Sequence, residues 1–120
     1  MVTMGNFYNE LGYYNGNIGE LSEMTIPMND RASFFGDGVY DATIARNGVI
    51  HDLNKHIDRI YRSASMLQIN INMTKDEMRN ILNSLITKVN FETTMVYFQI
   101  TRGTATRNHT FPDVPSNFWV

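Results

Sequence analysis

The sequence predicts an α+β domain: a mostly antiparallel sheet with two helices packed on one side, a two-layer sandwich. Three observations carry this. Two Asn-Gly pairs sit between short apolar runs in the first half, hydrophobic spacing changes to a helical period from Asn54, and an alternating apolar run returns at Met95 to Thr101.

Residues 6–30 are rich in Gly, Asn and Tyr, and Asn15-Gly16 between short aromatic and polar runs predicts a tight hairpin turn with short strands. Asn47-Gly48 gives the clearest hairpin, flanked by Val39-Tyr40-Asp41-Ala42-Thr43-Ile44-Ala45 before it and Val49-Ile50-His51 after it. From Asn54 the period changes. Ile57, Ile60, Tyr61, Ala64 and Leu67 fall on one helical stripe while Lys55, Asp58, Arg62 and Ser65 lie on other faces, which predicts a surface helix over 54–68. Thr74 and Glu77 have the spacing of a capping box, and Met78, Ile81, Leu82, Leu85, Ile86 and Val89 supply the buried face of a second helix expected to end near Asn90. In the strand that follows, Val96, Phe98 and Ile100 alternate with Tyr97, Gln99 and Thr101. The stretch 102–117 is polar and turn-rich with Pro112 and Pro115, after which Asn117-Phe118-Trp119-Val120 starts another apolar, strand-like run. This run leads to the expectation that residues 1–120 are a single domain of a longer chain.

Composition narrows the function. At 120 residues and 13.8 kDa the chain suits one core. Ten basic against twelve acidic residues leave a net charge of −2, which offers neither the phosphate footprint of a nucleic-acid binder nor a polybasic membrane patch. No apolar run has the length of a membrane span, and the start MVTMGNFYNE lacks the order of a secretory signal. With no cysteine, disulfides, thiolate metal sites and cysteine nucleophiles are excluded, and a cytoplasmic location is expected. The eight Met read as adaptable core filler. His51, His56 and His109 do not have the spacing of a metal motif, so no metal is expected.

A few residues could carry chemistry. In Phe35-Gly36-Asp37-Gly38-Val39-Tyr40 two glycines precede a strand, where they permit a tight turn or a close approach to a ligand; the glycine spacing is not that of a dinucleotide fingerprint. Arg59 on the first helix is either a solvated surface cation or a bidentate binder of phosphate or carboxylate. Arg107-Asn108-His109 puts a fixed cation and a titratable ring two residues apart on a loop, a pairing suited to a small carboxylate.

Four segments occur in a meaningful order: Asp30-Arg31, then Phe35-Gly36-Asp37-Gly38-Val39-Tyr40-Asp41, then His56-Ile57-Asp58-Arg59-Ile60, then Tyr97-Phe98-Gln99-Ile100-Thr101-Arg102-Gly103-Thr104. Over residues 15–115 the chain resembles the N-terminal small domain of fold type IV pyridoxal-phosphate enzymes, a superfamily of D-amino-acid aminotransferases, branched-chain aminotransferases and aminodeoxychorismate lyase. Arg107-Asn108-His109 is similar to the Arg-x-His carboxylate trap of the D-amino-acid branch.

The resemblance implies roles. Arg59 would hold the phosphate of pyridoxal 5'-phosphate, and Tyr40 would face the substrate side of the cofactor. Arg107 and His109, with the Tyr97 hydroxyl, would trap the substrate α-carboxylate across the interface of a homodimer. Asp37 and its glycines would shape the turn that presents Tyr40. The implied reaction moves an amino group from a D-amino acid such as D-alanine to a 2-oxo acid. Lys55, Lys75 and Lys88 do not match the family's Schiff-base lysine, so no catalytic residue is assigned in this chain. That lysine is expected in a second domain after Val120, and these 120 residues are expected to be inactive alone. Thr106, Asn108 and Ala32-Ser33-Phe34 depart from the commonest pattern of the family and bear on substrate choice. A lyase or branched-chain aminotransferase domain, and a non-catalytic dimerisation or ligand-binding module, are the competing readings.

Overall fold

Both Asn-Gly pairs turn the chain as two-residue hairpins. Asn15 and Gly16 lie at φ 46° and 97°, Asn47 and Gly48 at 49° and 80°, the left-handed region that such turns require. The first joins β1 (Leu11–Tyr14) to β2 (Asn17–Glu20); the second joins β3 (Gly38–Arg46) to β4 (Val49–Ile50). The computed structural model describes residues 7–120. After two helices, α2 (Leu53–Met66) and α3 (Lys75–Ile86), come β5 (Thr93–Thr101) and β6 (Asn117–Trp119). The six strands form one antiparallel sheet in the order β2-β1-β6-β5-β3-β4, which with the helices is the predicted α+β architecture.

Register decides which side chains meet the helices. β3 and β5 pair along their whole length, with Asp41 opposite Phe98 and Val39 opposite Ile100. Val96, Phe98 and Ile100 are buried with Ile57, Ile60 and Ala64 of α2 and Met78, Leu82 and Ile86 of α3 in one core. Successive strand residues point to opposite faces. Tyr40, Met95 and Tyr97 therefore lie on the other face, and all three are exposed. Among the described residues, no helix is long and apolar enough to cross a membrane.

The structure corrects three details. Leu67 is not on the buried stripe: it ends α2 and is 45% exposed. The second helix stops at Ile86 rather than near Asn90, because the Lys88 N–H turns back to the Leu85 carbonyl and Val89 pairs as a bridge with Tyr8. A short helix, α1 (Arg31–Phe35), precedes β3. The Asp30 carboxylate caps its start by accepting from the Ala32 N–H, and Gly36 ends it at φ 62°.

Candidate functional site

The first cluster forms where β4 stops. β4 covers only Ala45 and Arg46 of β3, so the start of β3 lies at the rim of the sheet with α2 alongside. His56 and Arg59, three apart on α2, share a helix face. Both reach the buried carboxylate of Asp41. Arg59 donates from Nε to Oδ2 and from Nη2 to Oδ1, each at 2.7 Å, and the His56 Nδ1 lies 2.7 Å from Oδ1. Burial pushes the Asp41 carboxyl up, but the hydrogen bonds and charges of Arg59 and His56 outweigh it and hold the group below the usual range. Asp41 stays ionised and fixes one edge of the guanidinium. The Arg59 side chain remains 58% exposed, and among the described residues its Nη1 makes no hydrogen bond.

Tyr40 precedes Asp41 and so points to the opposite face of the sheet. With Ala42 opposite Tyr97 and Tyr40 opposite Gln99, the two tyrosines are diagonal neighbours on adjacent strands. Their rings stack at 5.2 Å between centroids and 17° between planes. The Tyr97 hydroxyl donates to Gln99 at 2.7 Å; burial raises the Tyr97 pKa, and Tyr40 adds to the rise. Tyr40 also raises the pKa of Arg59, after the larger contributions of Asp41. The two lie on either side of the sheet rim within electrostatic reach.

The third cluster is the loop after β5. Arg107 lies over the Phe35 ring at 5.2 Å, and the His109 ring is 5.5 Å from the same ring. The loop is tied down from below. Arg31, buried in α1, donates from Nη1 to the Asn108 carbonyl at 2.6 Å and from Nε to Asp37 at 2.8 Å. Arg102 donates from Nε to the same Asp37 oxygen at 2.8 Å and covers the Phe111 ring at 3.6 Å. Asp37 titrates low although burial alone would raise it, because Arg102 and then Arg31 stabilise its charge. Among the described residues, no hydrogen bond or ring contact joins Arg107 and His109 to Tyr40 and Tyr97.

Sequence reasoning missed the partners rather than the reaching groups. Asp41, His56, Phe35 and Arg31 had no role, and Asp37 had only a turn. Asp41 carried a usable signal: an acid on the inward alternation with Val39 and Ala45, in a strand where Asp is disfavoured, calls for a cation on the covering helix. Local sequence does not reveal the link from Asp37 to Arg102.

The model of the Amino-transferase class IV family matches residues 38–120. The chain belongs to the class IV aminotransferases. Among similar members, the D-alanine aminotransferase of Listeria monocytogenes serotype 1/2a (strain 10403S) is 40% identical over 100 residues, covering 82% of this chain and 35% of that protein. The D-alanine aminotransferase of Staphylococcus aureus (strain MSSA476) is 35% identical over 100 residues, covering 83% and 36%. The chain thus spans about a third of the length of these relatives. The branched-chain amino acid aminotransferase from Escherichia coli superposes with a TM-score of 0.82 at 16% identity, covering 92% of this chain and 39% of that one. The branched-chain aminotransferase from the thermophilic archaeon Thermoproteus uzoniensis, solved with norvaline, gives 0.80 at 13%, covering 92% and 39%. These solved structures share the class IV fold.

Proposed function

We propose that this chain is the small domain of a pyridoxal-phosphate-dependent D-amino-acid aminotransferase, which transfers an amino group from a D-amino acid such as D-alanine to a 2-oxo acid. The observation that carries the reading is the placement of Arg107 and His109 against the same Phe35 ring, a cation and an imidazole on one braced loop. A fixed guanidinium beside a ring N–H suits the two oxygens of an α-carboxylate. The names of the relatives at 35–40% identity support the D-alanine branch over the branched-chain enzymes, whose likeness at 13–16% speaks to fold.

Arg59 fits a phosphate. Asp41 fixes one edge of its guanidinium, while Nη1 keeps its donors for a dianion and the side chain reaches solvent. When bound, the cofactor ring would delocalise the charge left by removal of the substrate α-proton. Tyr40 would line the substrate side, and Tyr97, stacked on Tyr40 rather than placed with Arg107 and His109 of its own chain, would line it too. In this reading the protein is a homodimer in which the Arg107–His109 loop of one protomer would meet Tyr40 of its partner, since among the described residues no hydrogen bond or ring contact joins them within one chain. The lysine that binds the cofactor covalently would lie after Val120, in a second domain, and the protein would work in the cytoplasm.

The test is transamination of D-alanine with 2-oxoglutarate by the protein extended through its own downstream sequence, with the 120-residue chain as the inactive control. Hydrogen bonds to a charged group contribute roughly 1.5–3 kcal/mol, so Arg107→Ala should lower kcat/KM for D-alanine about 10- to 100-fold. Turnover of L-branched-chain amino acids with D-alanine inert would overturn the assignment.

A further inference from the structure

We propose that Asn47-Gly48 is a site of spontaneous modification, at which the side-chain amide is lost to water and the turn between β3 and β4 lengthens, while the like turn at Asn15-Gly16 is protected by its hydrogen bonds. The proposal is independent of the aminotransferase reading. The sequence holds two Asn-Gly pairs. Asn before Gly can close on itself, because glycine has no Cβ to crowd the approach of its own nitrogen to the preceding side chain. The Gly48 nitrogen gives its proton to solvent and attacks Cγ of Asn47, and the new N–Cγ bond closes a five-membered imide. The Cγ–Nδ2 bond breaks, and Nδ2 takes up a proton and leaves as ammonia. Water then adds to one of the two imide carbonyls. Opening at Cγ leaves aspartate; opening at the main-chain carbon leaves isoaspartate, with the backbone running through the side chain. One water is consumed and one ammonia released, with no oxidation or reduction.

In backbone and exposure the two turns are alike. Asn15 lies at φ 46° and Asn47 at 49°, and all four residues of the two pairs are exposed. Their side chains differ. The Asn15 Nδ2 donates to the Asn117 Oδ1 at 3.0 Å, and its Oδ1 accepts from the Phe118 N–H at 2.8 Å. The Asn15 N–H adds a bond to the Phe118 carbonyl at 2.9 Å. Asn15 is thus pinned to β6, and swinging its Cγ onto the Gly16 nitrogen breaks both side-chain bonds. Among the described residues, neither the Asn47 side chain nor the Gly48 N–H makes a hydrogen bond. The Asn47 N–H donates to the Glu92 carbonyl at 2.8 Å, but that bond lies before the Asn47 Cα, and ring closure rotates the bonds after it.

The second hairpin is also the less supported. Two residue pairs hold β4 to β3, whereas four hold β2 to β1. Isoaspartate puts one extra main-chain carbon into a two-residue turn whose geometry is matched to the twist of its strands. β4 carries Ile50 into the core, and the His51 N–H closes on the Ile44 carbonyl just beyond it. Lengthening the turn therefore loosens a core residue and the approach of the chain to α2.

The protein extended through its own downstream sequence would be aged at neutral pH in isotope-labelled water, with and without urea, then digested in acid and mapped by mass spectrometry. In the folded protein Asn47 should take up label at least about tenfold faster than Asn15, since two side-chain hydrogen bonds restrain only the latter. In urea both turns are open and the two should convert at equal rates. Equal rates in the folded protein, or a faster Asn15, overturn the proposal. The same ratio in urea overturns it too, because local sequence rather than the bonds to β6 would then set the difference. So does an Asn47 that stays intact in the folded protein over the time in which it converts in urea, because the turn itself would then protect it. The isoaspartate form, separated by its added negative charge, should melt below the parent; an equal Tm would overturn the effect on β4.

Discussion

Asp37 joins three parts of the chain through one oxygen. Its Oδ2 accepts from Arg31 in α1 and from Arg102 after β5, and Arg31 in turn holds the Asn108 carbonyl between Arg107 and His109. Both arginines are buried, at 3% and 7% exposure, so each depends on this carboxylate for its countercharge. Asp37→Asn keeps the shape and removes the charge. Leaving a buried cation unpaired costs about 3–5 kcal/mol. The carbonyls of Gln68, Leu67 and Asn108 still accept from the two guanidiniums, so the expected loss is at the lower end, about 3 kcal/mol, read from urea unfolding. A loss below about 1 kcal/mol would mean that those carbonyls alone satisfy the arginines. The Asp37 pairing would then be incidental to the brace under the loop.

At the scale of elements, α3 starts on a reciprocal cap. The Thr74 hydroxyl accepts from the Glu77 N–H at 3.1 Å, and the Glu77 carboxylate accepts from the Thr74 N–H at 3.0 Å. Thr74→Ala should cost about 1 kcal/mol with an unchanged urea m value, since the helix that carries Met78, Leu82 and Leu85 into the core loses one end contact and no packing. A changed m value would instead place the cap in the cooperativity of the whole domain. This cap was legible in the sequence because both partners lie within four residues. The Asn-Gly hairpins were legible for the same reason. The end of α3 was not, since it is set by pairing between Val89 and Tyr8 far apart in the chain. Five residues of α1 give too short a window for a helical period, and only Asp30 and Gly36 mark its ends. In the candidate site, Arg59, Tyr40, Tyr97, Arg107 and His109 were singled out through a resemblance of ordered motifs. What holds them is tertiary: Asp41 meets Arg59 across a strand and a helix, and Phe35 meets Arg107 across a loop.

Over the whole molecule, two arginine-paired carboxylates, the partly buried Asp37 and the buried Asp41, make the fold sensitive to acid. Asp37 and Asp41 both titrate below an ordinary aspartate despite burial, because arginines, and for Asp41 also His56, stabilise their ionised forms. A group whose pKa is lower in the folded than in the unfolded chain contributes stability that is complete above the unfolded value, about 3.9 for Asp. That contribution is lost as pH falls through the folded value. Unfolding free energy should therefore be nearly level from pH 7 to about 5, then fall below about 4 and keep falling past the pH at which a free aspartate is already protonated. Charge repulsion among the ten basic residues grows over the same range, so the slope has two sources. The Asp37→Asn, Asp41→Asn double variant separates them. It is less stable at pH 7, but between about pH 4 and 2 its urea midpoint should change much less than that of the parent. Glu20 keeps a remainder of the slope, because the N–H groups of Asn9 and then Glu10 hold its carboxyl low. Parallel acid limbs in the two proteins would place the acid sensitivity in net repulsion rather than in the two braces that support Arg59 and the Arg107–His109 loop.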